Sequence, residues 1–150
     1  MSIDRQWREA VRKRANFCCE YCHSPERISA TRFTIDHVQP RSLGGLDALE
    51  NLALACRRCN ERRLNFTDGV DPKTGHSVPL FDPRRQDWNV HFYWSRDADR
   101  ILGMTDIGRA TIARLDMNDE RYADRDSIRN TRRLWVKAGW HPPTSDRREL

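Results

Sequence analysis

Lysine is scarce in this 150-residue chain. Only Lys13, Lys73 and Lys137 stand among 27 basic residues, so 24 are arginines. A planar guanidinium meets two phosphate oxygens at once where an ammonium offers a single point charge. The bias therefore fits a phosphate-bearing partner, although the codon usage of a GC-rich genome would produce it equally. Long apolar runs are missing as well, and no stretch approaches the roughly 18–20 residues of a membrane span. With 37% hydrophobic and 33% charged residues, the chain is expected to be soluble, without a membrane partner. The opening residues Met1–Trp7 lack the apolar core of a secretion signal, so the expected location is cytoplasmic. In that reducing setting paired cysteines are expected to serve a metal rather than disulfides. Internal repeats, heptads and low-complexity tracts are absent too, leaving one small domain with an extension.

What is present concentrates between Cys19 and Asn65. The pairs Cys19-x-x-Cys22 and Cys56-x-x-Cys59 bracket Asp36-His37, a Gly44-Gly45 turn and two asparagines, Asn51 and Asn60. Each pair forms a knuckle, and four thiolates suit one tetrahedral Zn²⁺, a closed and hence structural site. Cys18 is the spare thiol, since its loop to Cys22 is one residue too long, and His23 reads as a surface residue. The formal charge is +5, and residues 1–65 carry 12 basic against 8 acidic residues, so most of the excess sits with the cysteines.

In chain order, residues 4–15 place Trp7, Ala10 and Val11 at helical spacing, with Ser2 or Asp4 as the cap. This helix reads as packing for the zinc knuckle more than as a recognition helix. Residues 31–38 alternate and are rich in β-branched side chains, which predicts a strand ended by Pro40. Residues 51–55 form a second short strand, and a helix over 60–66 opens from the second knuckle. The order is strand, loop, strand, helix. Residues 67–83, rich in Gly, Asp and Pro, read as a surface loop. Beyond it, Val90, Phe92 and Trp94 predict a strand with residues 100–102 as partner, and His91 on the strand's other face reads as solvated or satisfied in the core. Thr105 caps a helix through Asp116, with Ile107, Thr111, Ile112 and Leu115 inward. A longer helix starts at Asn118, buries Ile128, Thr131, Leu134, Trp135 and Ala138, and stops at Gly139. The tryptophans of this half (Trp88, Trp94, Trp135, Trp140) read as core rather than base-stacking platforms, and the last residues as frayed.

The chemistry of the central stretch comes from Asp36, His37 and Asn60. A carboxylate and an amide oxygen are hard ligands suited to Mg²⁺ or Mn²⁺. A neutral imidazole takes a proton from water near neutral pH.

The succession Cys-x-x-Cys, Asp-His, Gly-Gly, Asn-Leu, Cys-x-x-Cys-Asn resembles the HNH endonuclease family and its ββα-metal fold. The spacings resemble the family's too, with Asn51 fourteen residues after His37 and Asn60 nine after Asn51. The resemblance covers about residues 15–66. It implies an α+β chain with a ββα-metal core stapled by Cys₄ zinc, within an N-terminal region 1–66. A loop at 67–83, an α+β extension at 84–143 packed on the core and a tail at 144–150 complete the expected organisation. Through Asp82-Pro83-Arg84 and Gly108-Arg-Ala-Thr111 the extension resembles stand-alone bacterial HNH proteins.

By the same resemblance, His37 is the general base, Asp36 and Asn60 hold a catalytic Mg²⁺ or Mn²⁺, and Asn51 braces the loop that orients His37. Arg63 stands where the family often has lysine, and so is expected to contact phosphate, with Arg57, Arg58 and Arg62 as further candidates and Arg41, on the loop near the site, as a phosphate clamp. The implied function is metal-dependent hydrolysis of double-stranded DNA by a monomer or homodimer, leaving 5′-phosphate and 3′-hydroxyl ends. Two other readings are a zinc-knuckle nucleic-acid-binding module without cleavage and a protein–protein adaptor. Asp36, His37 and Asn60 favour the enzyme, because binding alone needs no base beside a metal site.

Overall fold

The computed structural model describes residues 3–121 and 127–150. Two compact units emerge, Met1–Asn65 with Asp82–Arg85, and Phe66–Phe81 with Gln86–Leu150. Among the described residues no helix is long and apolar enough to cross a membrane.

The N-terminal unit opens with α1 (Arg5–Arg14), capped by the Asp4 carboxylate, which accepts from the Gln6 backbone N–H at 2.7 Å. Ser2, the other expected cap, lies outside the described residues. Val11 is fully buried and Trp7 half-buried, whereas Ala10 faces out and Arg12 faces in. Arg12 donates to both Glu26 carboxylate oxygens at 3.1 Å and to the Phe33 carbonyl at 3.0 Å. Arg14 reaches the Leu49 carbonyl at 2.8 Å and also the Leu52 carbonyl. These two arginines spend their donors tying α1 to the chain entering each strand.

The strands β1 (Thr34–His37) and β2 (Leu52–Ala55) pair antiparallel, setting Asp36 opposite Ala53 and His37 opposite Leu52. All four residues of β2 are buried, so this strand is covered on both faces. Its outer edge does not go unpaired. The Glu20 N–H donates to the Leu54 carbonyl at 2.8 Å, and the Glu20 carboxylate accepts from the Leu54 N–H at 2.8 Å. Arg84, from the Asp82–Arg85 segment, pairs with the same carboxylate. The helix after β2 begins earlier than its sequence implies: α2 spans Arg57–Arg63, because the Cys56 sulfur caps it by accepting from the Cys59 N–H at 3.4 Å. Asn60 therefore sits within the helix rather than at its start.

In the C-terminal unit, the expected loop at 67–83 contains a hairpin, β3 (Asp68–Val70) with β4 (Ser77–Pro79). Its turn is organised by Asp71, fully buried, whose carboxylate accepts from the Lys73 N–H, the Thr74 hydroxyl and both arms of Arg109 at 2.9 and 2.8 Å. After α3 (Trp88–His91), β5 (Phe92–Trp94) pairs with β6 (Ile101–Gly103). Val90 and His91 thus end a helical turn rather than starting the strand. His91 is buried, with Nδ1 at 2.6 Å from the Thr105 hydroxyl. The helix α4 (Asp106–Leu115) runs between Thr105 and Asp116, as its sequence predicts.

The last helix, α5, spans Ser127–Ala138. Residues 122–126 of the longer helix expected from Asn118 lie outside the described residues, and Asn118 itself is not helical. Its buried amide accepts from the Ile101 N–H at 2.9 Å and donates to the Ile101 carbonyl at 3.0 Å. The inward stripe of α5 differs as well: Leu134 and Ala138 are exposed, and the fully buried residue is Arg132. Its guanidinium donates to the Asp99 and Met117 carbonyls and to the Asn118 amide oxygen at 2.7–3.0 Å. Trp88 and Trp94 are core, whereas Trp140 is 58% exposed. The tail is not frayed. The Trp94 N–H donates to the Arg147 carbonyl at 2.9 Å, and the Glu149 N–H donates to the Trp94 carbonyl at 2.8 Å.

Arg109 holds the Asp71 carboxyl far below its ordinary value. A depressed carboxyl adds stability above the ordinary carboxylate range and loses it as pH falls through the folded-state value. Asp71→Asn should therefore destabilise this unit near neutrality, with the gap to the parent chain narrowing toward acid. Thermal unfolding followed by tryptophan fluorescence, to which this unit contributes four of the five tryptophans, at about pH 7 and about pH 3 checks this. A gap independent of pH would contradict it.

Candidate functional site

The two knuckles converge. The Sγ atoms of Cys19, Cys22, Cys56 and Cys59 all lie within 4.8 Å of one another, and all four residues are buried. No disulfide joins any of the five cysteines. Cys18 stays out of the cluster, bridging Pro25 through its backbone instead. Burial pushes the Cys19 thiol well up, and the neighbouring thiols do the same to Cys59. Four thiols at this spacing resist ionising together unless a cation shares their charge, and a tetrahedral thiolate set is what Zn²⁺ takes. The donor set thus fits structural zinc.

Next to this cluster in sequence, Tyr21 begins the second layer. Its buried hydroxyl donates to Asp36 Oδ2 at 2.7 Å, and Arg63 on α2 donates to the same oxygen at 2.6 Å. Burial raises the Asp36 carboxyl above its ordinary value, against the pull of the Arg63 guanidinium and the Tyr21 hydroxyl. Among the described residues no side chain or backbone group engages Oδ1 of Asp36.

Arg63 departs from the sequence expectation. It is 4% exposed, and beyond Asp36 it donates to the His37 carbonyl at 3.0 Å and to the Val38 carbonyl. Its donors are spent on the end of β1 rather than offered to a phosphate. The arginine is a strut between α2 and the strand that carries Asp36 and His37.

His37 closes β1. Its Nε2 lies 2.7 Å from Oδ1 of Asp47, and the Arg41 Nε donates to that same oxygen at 2.8 Å. The hydrogen bond from Arg41, then that from His37, keeps the Asp47 carboxyl below its ordinary value. Sequence reading missed Asp47, which lies ten residues beyond His37 on a loop whose path is not periodic. Its one signal was an acidic residue two positions past Gly45.

Asn51 supports that loop with three side-chain hydrogen bonds. It accepts from the Gln39 N–H at 2.8 Å and donates to the Gln39 carbonyl at 3.0 Å and the Leu46 carbonyl at 2.9 Å. Gly45 is required by the same geometry, since a Cβ there would fall 1.7 Å from the Gln39 carbonyl oxygen. Gly44 supplies the left-handed turn, at φ +86°.

Asn60 lies on α2, half-buried, and no side-chain hydrogen bond engages its amide among the described residues. The remaining arginines divide by surroundings. Arg41 is 46% exposed at its side chain. Arg57 is exposed and pairs with Glu61 at 2.7 Å, whereas Arg58 and Arg62 are half-buried. The structure thus joins His37 to Asp47 and Arg41, joins Asp36 to Tyr21 and Arg63, and binds Asn51 to the loop between them.

Comparisons with known proteins bear on this arrangement. The sequence model of the HNH endonuclease family matches residues 19–66. A CRISPR-associated endonuclease Cas9 from Corynebacterium diphtheriae is 38% identical over 87 residues, which cover 55% of this chain and 8% of that protein. No solved structure matches the chain.

Two substitutions test the scaffold. Cys56→Ala removes both a ligand and the α2 cap. It should release zinc and unfold the N-terminal unit, since binding energy on the order of 10 kcal/mol is folding energy in such sites. Metal analysis and circular dichroism read this, and a folded, metal-free variant would contradict it. Arg63→Met leaves the Asp36 carboxylate buried without its ion partner and should cost about 3–5 kcal/mol of stability, measured by denaturant unfolding. A loss under about 1 kcal/mol would return Arg63 to the surface. With its paired knuckles, Asp36-His37 strand and Asn60 helix, the segment from residue 19 to residue 66 belongs to the HNH endonuclease family.

Proposed function

We propose that this chain is a metal-dependent endonuclease that hydrolyses DNA phosphodiester bonds and leaves 5′-phosphate and 3′-hydroxyl ends. The observation that carries this reading is the imidazole of His37, pinned at the end of β1 by Asp47 on a strand whose preceding residue is a buried carboxylate. A binding module has no use for a ring held this way. A general base does.

The residues fit a second, oxygen-ligated cation. Oδ1 of Asp36 and the Asn60 amide are oxygen donors that no protein group engages among the described residues, and hard oxygens are what Mg²⁺ and Mn²⁺ prefer. Asp36 and Asn60 would hold that ion, which supplies stabilisation of charge on the scissile phosphate and the departing 3′ oxygen. His37 accepts a proton from water as the water oxygen bonds to phosphorus. The bond from phosphorus to the 3′ oxygen breaks, and that oxygen takes a proton from solvent. Asn51 keeps the loop, and through it the ring, in place. Arg41 stands beside the ring and is the first phosphate contact in this scheme, with Arg57, Arg58 and Arg62 as further contacts along α2.

The test is incubation of the purified chain with supercoiled plasmid, with Mg²⁺, Mn²⁺ or chelator. Nicked or linear product should appear only with the divalent ion. His37→Ala should lower the rate at least about 100-fold, the smaller end of what a general base contributes, with zinc content and circular dichroism unchanged. Cutting by that variant at the parent rate would remove His37 as the base.

A further inference from the structure

The partner of His37 determines which of its two ring nitrogens does the work. An ionised carboxylate offers only acceptor lone pairs, so at 2.7 Å from Asp47 Oδ1 the Nε2 atom must carry the hydrogen and donate it. A neutral ring protonated on Nε2 has its lone pair on Nδ1. No protein group engages Nδ1 among the described residues. Asp47 is itself anchored. The Arg41 Nε donates to the same oxygen at 2.8 Å, and Asn51 holds the preceding residue by its carbonyl. Asp47 is half-buried, and its side chain is 20% exposed, so water competes only partly for the carboxylate.

We infer that Asp47 is the positioning residue of this site: its carboxylate locks His37 in the Nε2–H form and presents Nδ1 as the proton acceptor, with Arg41 locking Asp47 in turn. The activity half of this statement rests on the nuclease reading above, whereas the nitrogen assignment does not. Asp47 touches no reacting atom in this scheme. It fixes the ring's tautomer and orientation, as a carboxylate behind a general-base histidine does. Arg41 thereby has two tasks, since the guanidinium that holds Asp47 is also the one the nuclease reading assigns to phosphate.

Nitrogen-resolved NMR of the zinc-loaded chain labelled with ¹⁵N-histidine, without added Mg²⁺ or Mn²⁺, tests the assignment. His37 is identified by the signals lost in His37→Gln. The expected result is a hydrogen on Nε2 that exchanges slowly with water and an Nδ1 that bears none. In Asp47→Ala the Nε2–H signal should be lost to solvent exchange. A hydrogen on Nδ1, or an Nε2–H signal unchanged in Asp47→Ala, would overturn the proposal.

In the plasmid assay Asp47→Ala should lower kcat about 100-fold, a larger change than that in KM, which moves only as far as Arg41 loses its anchor. Asp47→Asn keeps the shape but loses the charge, and should fall between parent and Asp47→Ala. It also stands in for Asp47→Ala should that variant lose its zinc or its circular dichroism. Parent-level kcat in both variants would overturn the positioning role. Should the parent chain cut no plasmid under any ion, the nuclease reading fails, and the NMR result alone decides the assignment.

Discussion

Four sulfur atoms within one ion's reach are the constraint from which the N-terminal unit is built. Two of them come from a turn after α1, and two from the start of α2, more than thirty residues later. Holding them together closes that span, so the strand pair between the knuckles needs only four residues on each side. So short a pair would be marginal alone. Here the clamp fixes its ends, Glu20 covers one edge of β2, and Arg63 ties the end of β1 to α2. The four cysteines supply stiffness, and the Asp36–His37 pair stands at the end of β1.

That division also explains why one carboxylate of the Asp-His pair is deep and the other residue is not. Successive residues of a strand face opposite sides. Asp36 turns toward Tyr21 and Arg63, and His37 turns toward the loop that carries Asp47. Two neighbours in sequence thus enter two separate hydrogen-bond systems. The inner one is buried and fixes the backbone; the outer one is partly open to solvent and fixes a ring.

What was legible in the sequence was whatever repeats at fixed intervals or obeys local chemistry. Chelation dictates the Cys-x-x-Cys spacing, so the cluster could be read directly. Thr105 and Asp116 bracket α4 because capping is local. Asn51 was singled out only through the family resemblance, and in the structure it makes three bonds to the loop. What escaped depends on meetings between distant residues. Asp47 finds His37 only once the loop is folded around Gly45. The tail is ordered by Trp94, some fifty residues upstream. In α5 helical periodicity nominated Leu134, yet Arg132 lies inside because the carbonyls of Asp99 and Met117 and the amide of Asn118 await its guanidinium. Residue type misled there, since arginine is ordinarily counted with the surface.

That buried guanidinium is one of a set. Arg12, Arg14, Arg63 and Arg132 each satisfy two or three acceptors at once, several of them backbone carbonyls. A lysine, with one nitrogen, could not span such groups. Part of the arginine excess is therefore architectural: these side chains act as rivets, and the donors they use on the fold are already engaged. Counterions displaced from a polyanion would be counted by the cations that reach the surface, so the formal charge of the chain overstates how far its grip would slacken as salt rises.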